Sequence, residues 1–315
     1  LGVWGGDFRP PCQGVRRGAG VRYDARPVSR EPAPHVEPSA CTACFRCVEE
    51  CPTGAARRGE GHATIEPGCC VACGHCGIVC NYGAVRTEAG AFVPWTRPEL
   101  DPEAVRALIV GQRSIRRFRP EPVEPELLAE ILAVADHAAT ASNARDVAAI
   151  VLRGDRVRAV AAEINAYYAG LLRLLDCPVV RLALWLTPAR AYLRSPKKIA
   201  RMREDVASFA RGRDWLFFDA PAVVILTTPR RHRRFGRVNA TIAGDQQKLY
   251  AAARGLGSCW IGYAEVGLRG RRAARDAAGI PADREPQVVF TLGHPAVSYQ
   301  RLPARAPLPV TWLGD

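Results

Sequence analysis

The chain has 315 residues, 48% of them hydrophobic, and a formal net charge of +13. That is enough for about two domains and a real core. No apolar run approaches the ~20 residues of a membrane span and no signal-peptide pattern is visible, so the expectation is a cytoplasmic protein without a membrane partner. Lysine occurs only at Lys197, Lys198 and Lys248, an arginine skew that genomic base composition alone can produce. No motif for reading nucleic acid accompanies the charge; an acidic protein partner suits it better.

Residues 1–36 are rich in Arg, Pro and Gly without apolar periodicity and are expected to form a disordered N-terminal segment. The first residue is Leu1, not methionine, as at a fragment boundary or a misplaced start. No function is assigned to this segment.

Two cysteine runs follow. Cys41-x-x-Cys44-x-x-Cys47-x-x-x-Cys51-Pro52 is repeated 29 residues later as Cys70-x-x-Cys73-x-x-Cys76-x-x-x-Cys80. Gly54-Ala55 matches Gly83-Ala84, and Gly61 matches Gly90, at the same offset. Each unit reads as a loop, a short helix and a strand or turn, duplicated. Three thiolates on one tight loop plus a fourth from farther away suit a tetranuclear iron–sulfur cluster, and the chain supplies that twice. Structural zinc prefers separated cysteine pairs, and disulfide frameworks belong to small secreted domains. Cys69 reads as a bystander. Cys12, Cys177 and Cys259 stand alone and read as ordinary thiols.

Residues 37–96 thus resemble a bacterial two-cluster ferredoxin module. The resemblance implies two [4Fe-4S] clusters with crossed ligation. One would be held by Cys41, Cys44, Cys47 and Cys80, the other by Cys70, Cys73, Cys76 and Cys51. Asn81 stands where that family usually repeats the proline found at Pro52, which alters a backbone donor without removing a ligand.

A second domain is expected over 101–315. Asp101 offers an N-cap, Pro102 an N1 residue and Glu103 a favourable first-turn charge. Leu127, Leu128, Ile131, Leu132 and Ala135 make one apolar face of a helix at about 125–138. Residues 147–152 read as a strand. Residues 155–218 read as mainly helical, broken at Pro178, Pro188 and Pro196. Ala222–Leu226 is a second strand, a helix from Ala240 to Arg254 stops at Gly255, residues 258–262 form a strand or its edge, and 287–293 form the last strand. Helices and strands mix without a regular βαβ alternation, which argues for α+β.

Within this domain Gln112-Arg-Ser-Ile-Arg-Arg-Phe118, Ala141-Ser142-Asn143, Asp219-Ala-Pro-Ala-Val-Val-Ile225, Gly255-Leu-Gly-Ser-Cys-Trp-Ile-Gly262 and Gly293-His-Pro-Ala-Val297 resemble, in order, landmarks of the FMN-dependent nitroreductase family. Arg301-Leu-Pro-Ala-Arg305 fits too. The whole chain is similar to ferredoxin-fused nitroreductases. The fold implied is a ferredoxin-like module followed by a three-layer α+β nitroreductase-like domain.

The resemblance also implies FMN and places its contacts. Arg113, Ser114 and Arg116, with Arg301 or Arg305, would hold the phosphate through charge-assisted bonds. Alone, such arginines are more often a solvated face. Ser142 and Asn143 would meet the ribityl chain or ring edge, or cap a helix. The backbone of Ile261, Gly262 and Tyr263 would face flavin N5, or form a plain strand edge. Gln112, the run Arg145-Asp146-Val147 and the pair Asp245-Gln246 depart from the family pattern.

The expected function is an oxidoreductase passing electrons from a ferredoxin- or flavodoxin-type donor through two clusters to FMN, then to a small acceptor such as a nitroaromatic, quinone or activated alkene. The alternatives are an NAD(P)H-dependent nitro or flavin reductase and a non-catalytic electron-transfer subunit. A homodimer is expected, because that family builds its flavin site across the dimer and the apolar tail Leu308–Leu313 has no evident place in its own core.

Overall fold

The structure, a computed structural model, describes residues 32–88, 90–186 and 195–314. It divides into two compact units. One holds the described residues up to Glu99 together with Ala139–Asp146; the other holds Leu100–Ala138 and the described chain from Val147 onward.

The first unit carries the duplication into three dimensions. Helices Arg46–Glu49 and His75–Ile78 occupy equivalent places in the two repeats, as do the 3-10 turns Pro38–Ala40 and Pro67–Cys69. The strands are β1 (His35–Val36), β2 (Ala56–Arg58), β3 (Ala63–Ile65), β4 (Val85–Thr87) and β5 (Gly90–Ala91). They pair across the repeats: β1 with β4, and β2 with β3, both antiparallel. Each repeat therefore completes a sheet begun by the other. The loop conformation repeats as well. Ala43 and Ala72 have φ of 54° and 50°, Phe45 and Gly74 have φ of 57° and 79°. Left-handed backbone at non-glycine residues is costly, so its recurrence marks a demand of the loop itself.

His35 and Val36 lie in a strand. This corrects the expectation of disorder over 1–36 for its last residues, whose backbone groups find partners on β4. The rest of that segment, through Glu31, lies outside the described residues, as does Cys12.

The second unit is built on one antiparallel sheet of β6 (Ala148–Arg153), β7 (Ala222–Pro229), β8 (Gly257–Trp260) and β9 (Arg284–Gly293), in the order β6-β7-β9-β8. Side chains alternate across a strand, and the two faces feed two separate cores. Val223, Ile225 and Val289 join Val160, Ile164 and Leu268 on one face. Ala222, Val224, Leu226, Phe290 and Leu292 join Leu128, Ile131 and Ala243 on the other. Helices thus cover both faces, which gives a mixed α+β fold.

The helices begin and end for local reasons. Asp101 accepts a hydrogen bond from the Glu103 N–H at 3.0 Å and caps Pro102–Gly111. Pro125–Ala133 continues as a 3-10 turn to His137. Asp155–Leu174, Pro178–Trp185 and Pro196–Ala210 fill the expected helical stretch; the break expected at Pro188 falls outside the described residues. The long helix begins at Arg233, earlier than expected. Its first two turns are arginine-rich, and they hid from an apolar-periodicity reading. It runs to Ala253, with Gly255, φ 78°, just past its C-cap. The strand expected over 258–262 is shorter, because Ile261 instead caps the helix Gly262–Gly270.

Candidate functional site

The eight cysteines of the duplicated runs are all free thiols, and the fold gathers them into two fours. One cavity is lined by Cys41, Cys44, Cys47 and Cys80, with Val36, Phe45, Tyr82 and Val85 among its walls. The other is lined by Cys51, Cys70, Cys73 and Cys76, with Pro52, Ile65 and His75. In each, three cysteines come from one repeat and the fourth from the other. The helices carrying Cys47 and Cys76 bring the fourth cysteines across.

Burial pushes the Cys76 thiol up to about 12, aided by the negative charge of Cys70, Cys73 and Cys47. Burial also raises Cys47, with Cys41, Cys80 and Cys44 adding to it. Cys70 is raised by burial and then by Cys73 and Cys51, against a hydrogen bond from the Ala72 N–H. Burial acts on Cys51 in the same sense, but bonds from Ala56, Thr53 and Ala55 together outweigh it and lower this thiol. Thiolates so enclosed would repel one another, which a raised pKa relieves by keeping the thiol protonated and which a bound cation would relieve as well. Among the described residues no three His, Cys, Asp or Glu side chains converge to hold a single metal ion. Cys69 is not a free thiol but has a bond of its own.

In the sheet unit the landmark segments converge. The Ile115 N–H donates to Ser258 O at 2.9 Å and Ser114 bridges to Ser258. The Arg119 N–H donates to His294 O at 2.8 Å, the Ala296 N–H to Arg117 O at 2.9 Å, and Phe118 bridges to Pro295. Two glycines permit this. A Cβ on Gly257 would stand 2.8 Å from Ile115, and one on Gly293 would stand 2.6 Å from Pro221 and 2.9 Å from Phe118. The loop 112–119 is thereby pinned against β8 and the end of β9.

Around that loop the donors are unequal. Arg116 is exposed, with its guanidinium 5.9 Å from the Phe218 ring centroid. Arg113 donates to Val110 O at 2.8 Å and Gln112 O at 2.6 Å. Gln112 Nε2 is buried without a partner, an amide donor left over beside Arg113 and Ser114. Arg301 and Arg305 lie in an exposed tail without regular structure. Gly262 and Tyr263 open a helix whose first two intrahelical bonds go from Ala264 and Glu265 to Ile261 O. Their own N–H groups have no acceptor inside the helix.

Ser142 and Asn143 belong to the other unit. Both are left-handed, with φ of 53° and 51°, and Asn143 Nδ2 donates to Val71 O at 3.0 Å and Ala72 O at 2.9 Å. The amide expected to meet a flavin is spent on a cysteine loop.

Sequence reading named Asp219 as the start of a landmark but missed the turn it makes with Phe218, both left-handed with φ of 55° and 59°. Bulky residues there are outliers. Asp214 holds the turn by accepting from Leu216, Phe217 and Asp219 N–H. Burial raises its carboxyl pKa against those bonds. The signal in the sequence was an aspartate directly before the apolar run Trp215–Phe218. Also missed was Glu265, buried and paired with Arg237 at 3.0 Å and Arg269 at 3.4 Å. Its spacing to Arg269 was legible, but its reach to Arg237 was not.

The model of the nitroreductase family matches residues 109–294, well over half the chain. The chain belongs to the nitroreductase family. A BluB-like flavoprotein from Clostridium difficile 630 is 18% identical, covers 69% of this chain and 100% of its own, and superposes with a TM-score of 0.51; that likeness shows the fold. An FMN-bound nitroreductase from Desulfitobacterium hafniense DCB-2 is 21% identical over 69% of this chain and 100% of its own, TM-score 0.49. An FMN and NADPH-dependent nitroreductase from Sphigopyxis sp. strain HMH has the same identity, coverages and score.

Proposed function

We propose that this chain is an iron–sulfur, FMN-dependent oxidoreductase in which a ferredoxin-like module, residues 37–96, serves a nitroreductase domain, residues 101–315. The observation that carries the reading is the pair of crossed four-cysteine cavities in a chain of this family. FMN is drawn from the family and from relatives named for bound FMN. It suits the orphaned Gln112 amide, the exposed Arg116 and the open N–H groups of Gly262 and Tyr263.

When bound, the clusters would supply one-electron transfer and FMN would combine two such electrons with a proton, for transfer as a hydride. The chain's own tasks follow. The eight cysteines would hold the clusters in two crossed sets. Arg116, Ser114 and the Gln112 amide would meet the phosphate, with Arg113 keeping the loop closed by its carbonyl bonds and Arg301 or Arg305 supplied by the tail. The N–H groups of Gly262 and Tyr263 would be the donors toward the ring. A nicotinamide donor gives hydride to flavin directly and needs no thiolate-bound iron, so eight organised thiols favour a ferredoxin- or flavodoxin-type donor. The acceptor class is a small nitroaromatic, quinone or activated alkene. Enclosed, unpaired thiols suit a reducing compartment such as the cytoplasm.

We also infer a homodimer. The helix Pro102–Gly111 buries no residue, and Leu308 and Trp312 are 82% and 87% exposed in the single chain. Apolar surface of that kind is usually covered. Among the described residues no helix is long and apolar enough to cross a membrane. Light scattering should give twice the chain mass.

Anaerobically purified protein should contain about eight iron and eight sulfide per chain, following from two four-iron sets, and about one FMN. Stoichiometric zinc with no sulfide would overturn the cluster reading.

A further inference from the structure

One peptide unit beside the second cysteine set is held at both ends. The N–H of Ala72 donates to Cys70 Sγ at 3.3 Å. The carbonyl of the same peptide, Val71 O, accepts from Asn143 Nδ2 at 3.0 Å, and the next carbonyl, Ala72 O, accepts from the same amide at 2.9 Å. Asn143 is itself locked. It sits in a turn where its N–H donates to Thr140 O at 3.0 Å and the Arg145 N–H donates to Thr140 Oγ1 at 3.0 Å. The matching peptide of the first repeat, Thr42–Ala43, has no such side-chain donor among the described residues. The cavity of Cys70 also contains Cys51, whose sulfur accepts from the Ala56 N–H at 3.3 Å.

A donor on a peptide carbonyl polarises that peptide and makes its N–H a better donor, since chained hydrogen bonds strengthen one another. Hydrogen bonds to cluster sulfurs are among the factors that set cluster potentials. Reduction adds negative charge, so a stronger N–H bond to sulfur stabilises the reduced form. We propose that Asn143 is a positioning residue that raises the reduction potential of the cluster held by Cys51, Cys70, Cys73 and Cys76, making it the more oxidising of the two. This rests on the reading that the cysteines hold clusters. It gives Asn143 a role other than flavin contact. It also orders the two sets: the electron settles on the one whose loop is bonded to Asn143, in a segment that leaves the nitroreductase unit after Ala138 and rejoins it at Val147.

The test uses the full chain as two variants, Asn143→Gly and Asn143→Asp. Glycine keeps the left-handed backbone and removes the donor. Aspartate keeps the shape and sets a carboxylate against two carbonyls. Potentiometric titration followed by electron paramagnetic resonance reads both potentials, alongside iron, sulfide and FMN content. The expected result is that the higher potential falls in both variants and the lower stays, with all three contents unchanged. Unmoved potentials overturn the proposal, and so does FMN loss with unmoved potentials, which would return Asn143 to the flavin. Wild-type protein without iron and sulfide overturns it through the underlying reading, and the sulfide assay distinguishes that failure from the others.

Discussion

Among the described residues the hydrophobic cluster of the cysteine unit is four buried side chains, Cys47, Ala63, Cys76 and Val85, and two of those are thiols. The sheet unit buries both faces of β7 and β9, with Phe217, Ile164 and Val223 fully enclosed on one side and Phe290, Ile131 and Leu292 on the other. Small units bury too little apolar surface to be stable alone and need staples or metals. The difference teaches where each fold gets its stability. The sheet unit has it in packing. The cysteine unit has short cross-paired strands and little enclosed apolar surface, so a group held by its thiols, as proposed above, would contribute much of its stability.

The sharpest way to break this comparison is to remove the proposed iron. A chelator under mild acid should unfold the cysteine unit and erase its hydrogen-exchange protection, while β6–β9 stay protected. Protection surviving in both units would show that the small core suffices.

The reverse lesion comes next. Phe290→Ala should cost the sheet unit about 3–5 kcal/mol, the usual loss for a buried phenylalanine, read by denaturant unfolding. Iron and sulfide per chain should not change. Smaller still, Arg116→Ala should weaken FMN about ten- to a hundredfold, since a charge-assisted bond is worth roughly 1.5–3 kcal/mol. Equal FMN affinity in wild type and an Arg113/Arg116 double alanine variant would place the flavin elsewhere.

Much of the cysteine unit was legible because its information is local. Spacing named all eight thiols, and the repeat put helix on helix and strand on strand. The cross-pairing of β1 with β4 was not legible, nor was the bond from Asn143 to Val71 and Ala72. Both join residues far apart in sequence that carry no paired signal. In the sheet unit, continuous apolar runs located β7 and β9, and ordered landmarks pointed to the loop 112–118. The sheet order, the strained Phe218–Asp219 turn and the partners of Glu265 come from tertiary packing, which no local pattern encodes.

The smallest effect concerns Glu265. Burial raises its pKa above the ordinary 4.5, against the opposing pull of Arg269 and Arg237. A raised carboxyl pKa means the folded state holds the proton longer, so stability from this group is full below about 4.5 and is lost as pH rises through the folded pKa. Relative to Glu265→Gln, the wild-type sheet unit should therefore lose ground as pH climbs from 4 through that pKa. A difference that is flat with pH would mean that the two arginines fully offset the burial.

The central proposal is that iron held by the cysteines would feed the flavin. Anaerobic stopped-flow reduction of bound FMN, in wild type and Cys44→Ser, tests it most directly with reduced ferredoxin, NADPH and dithionite as donors. The account predicts that ferredoxin reduces the flavin in wild type but not in the variant, while dithionite reduces both. Equal reduction of both proteins by NADPH, with ferredoxin inert toward both, would contradict it.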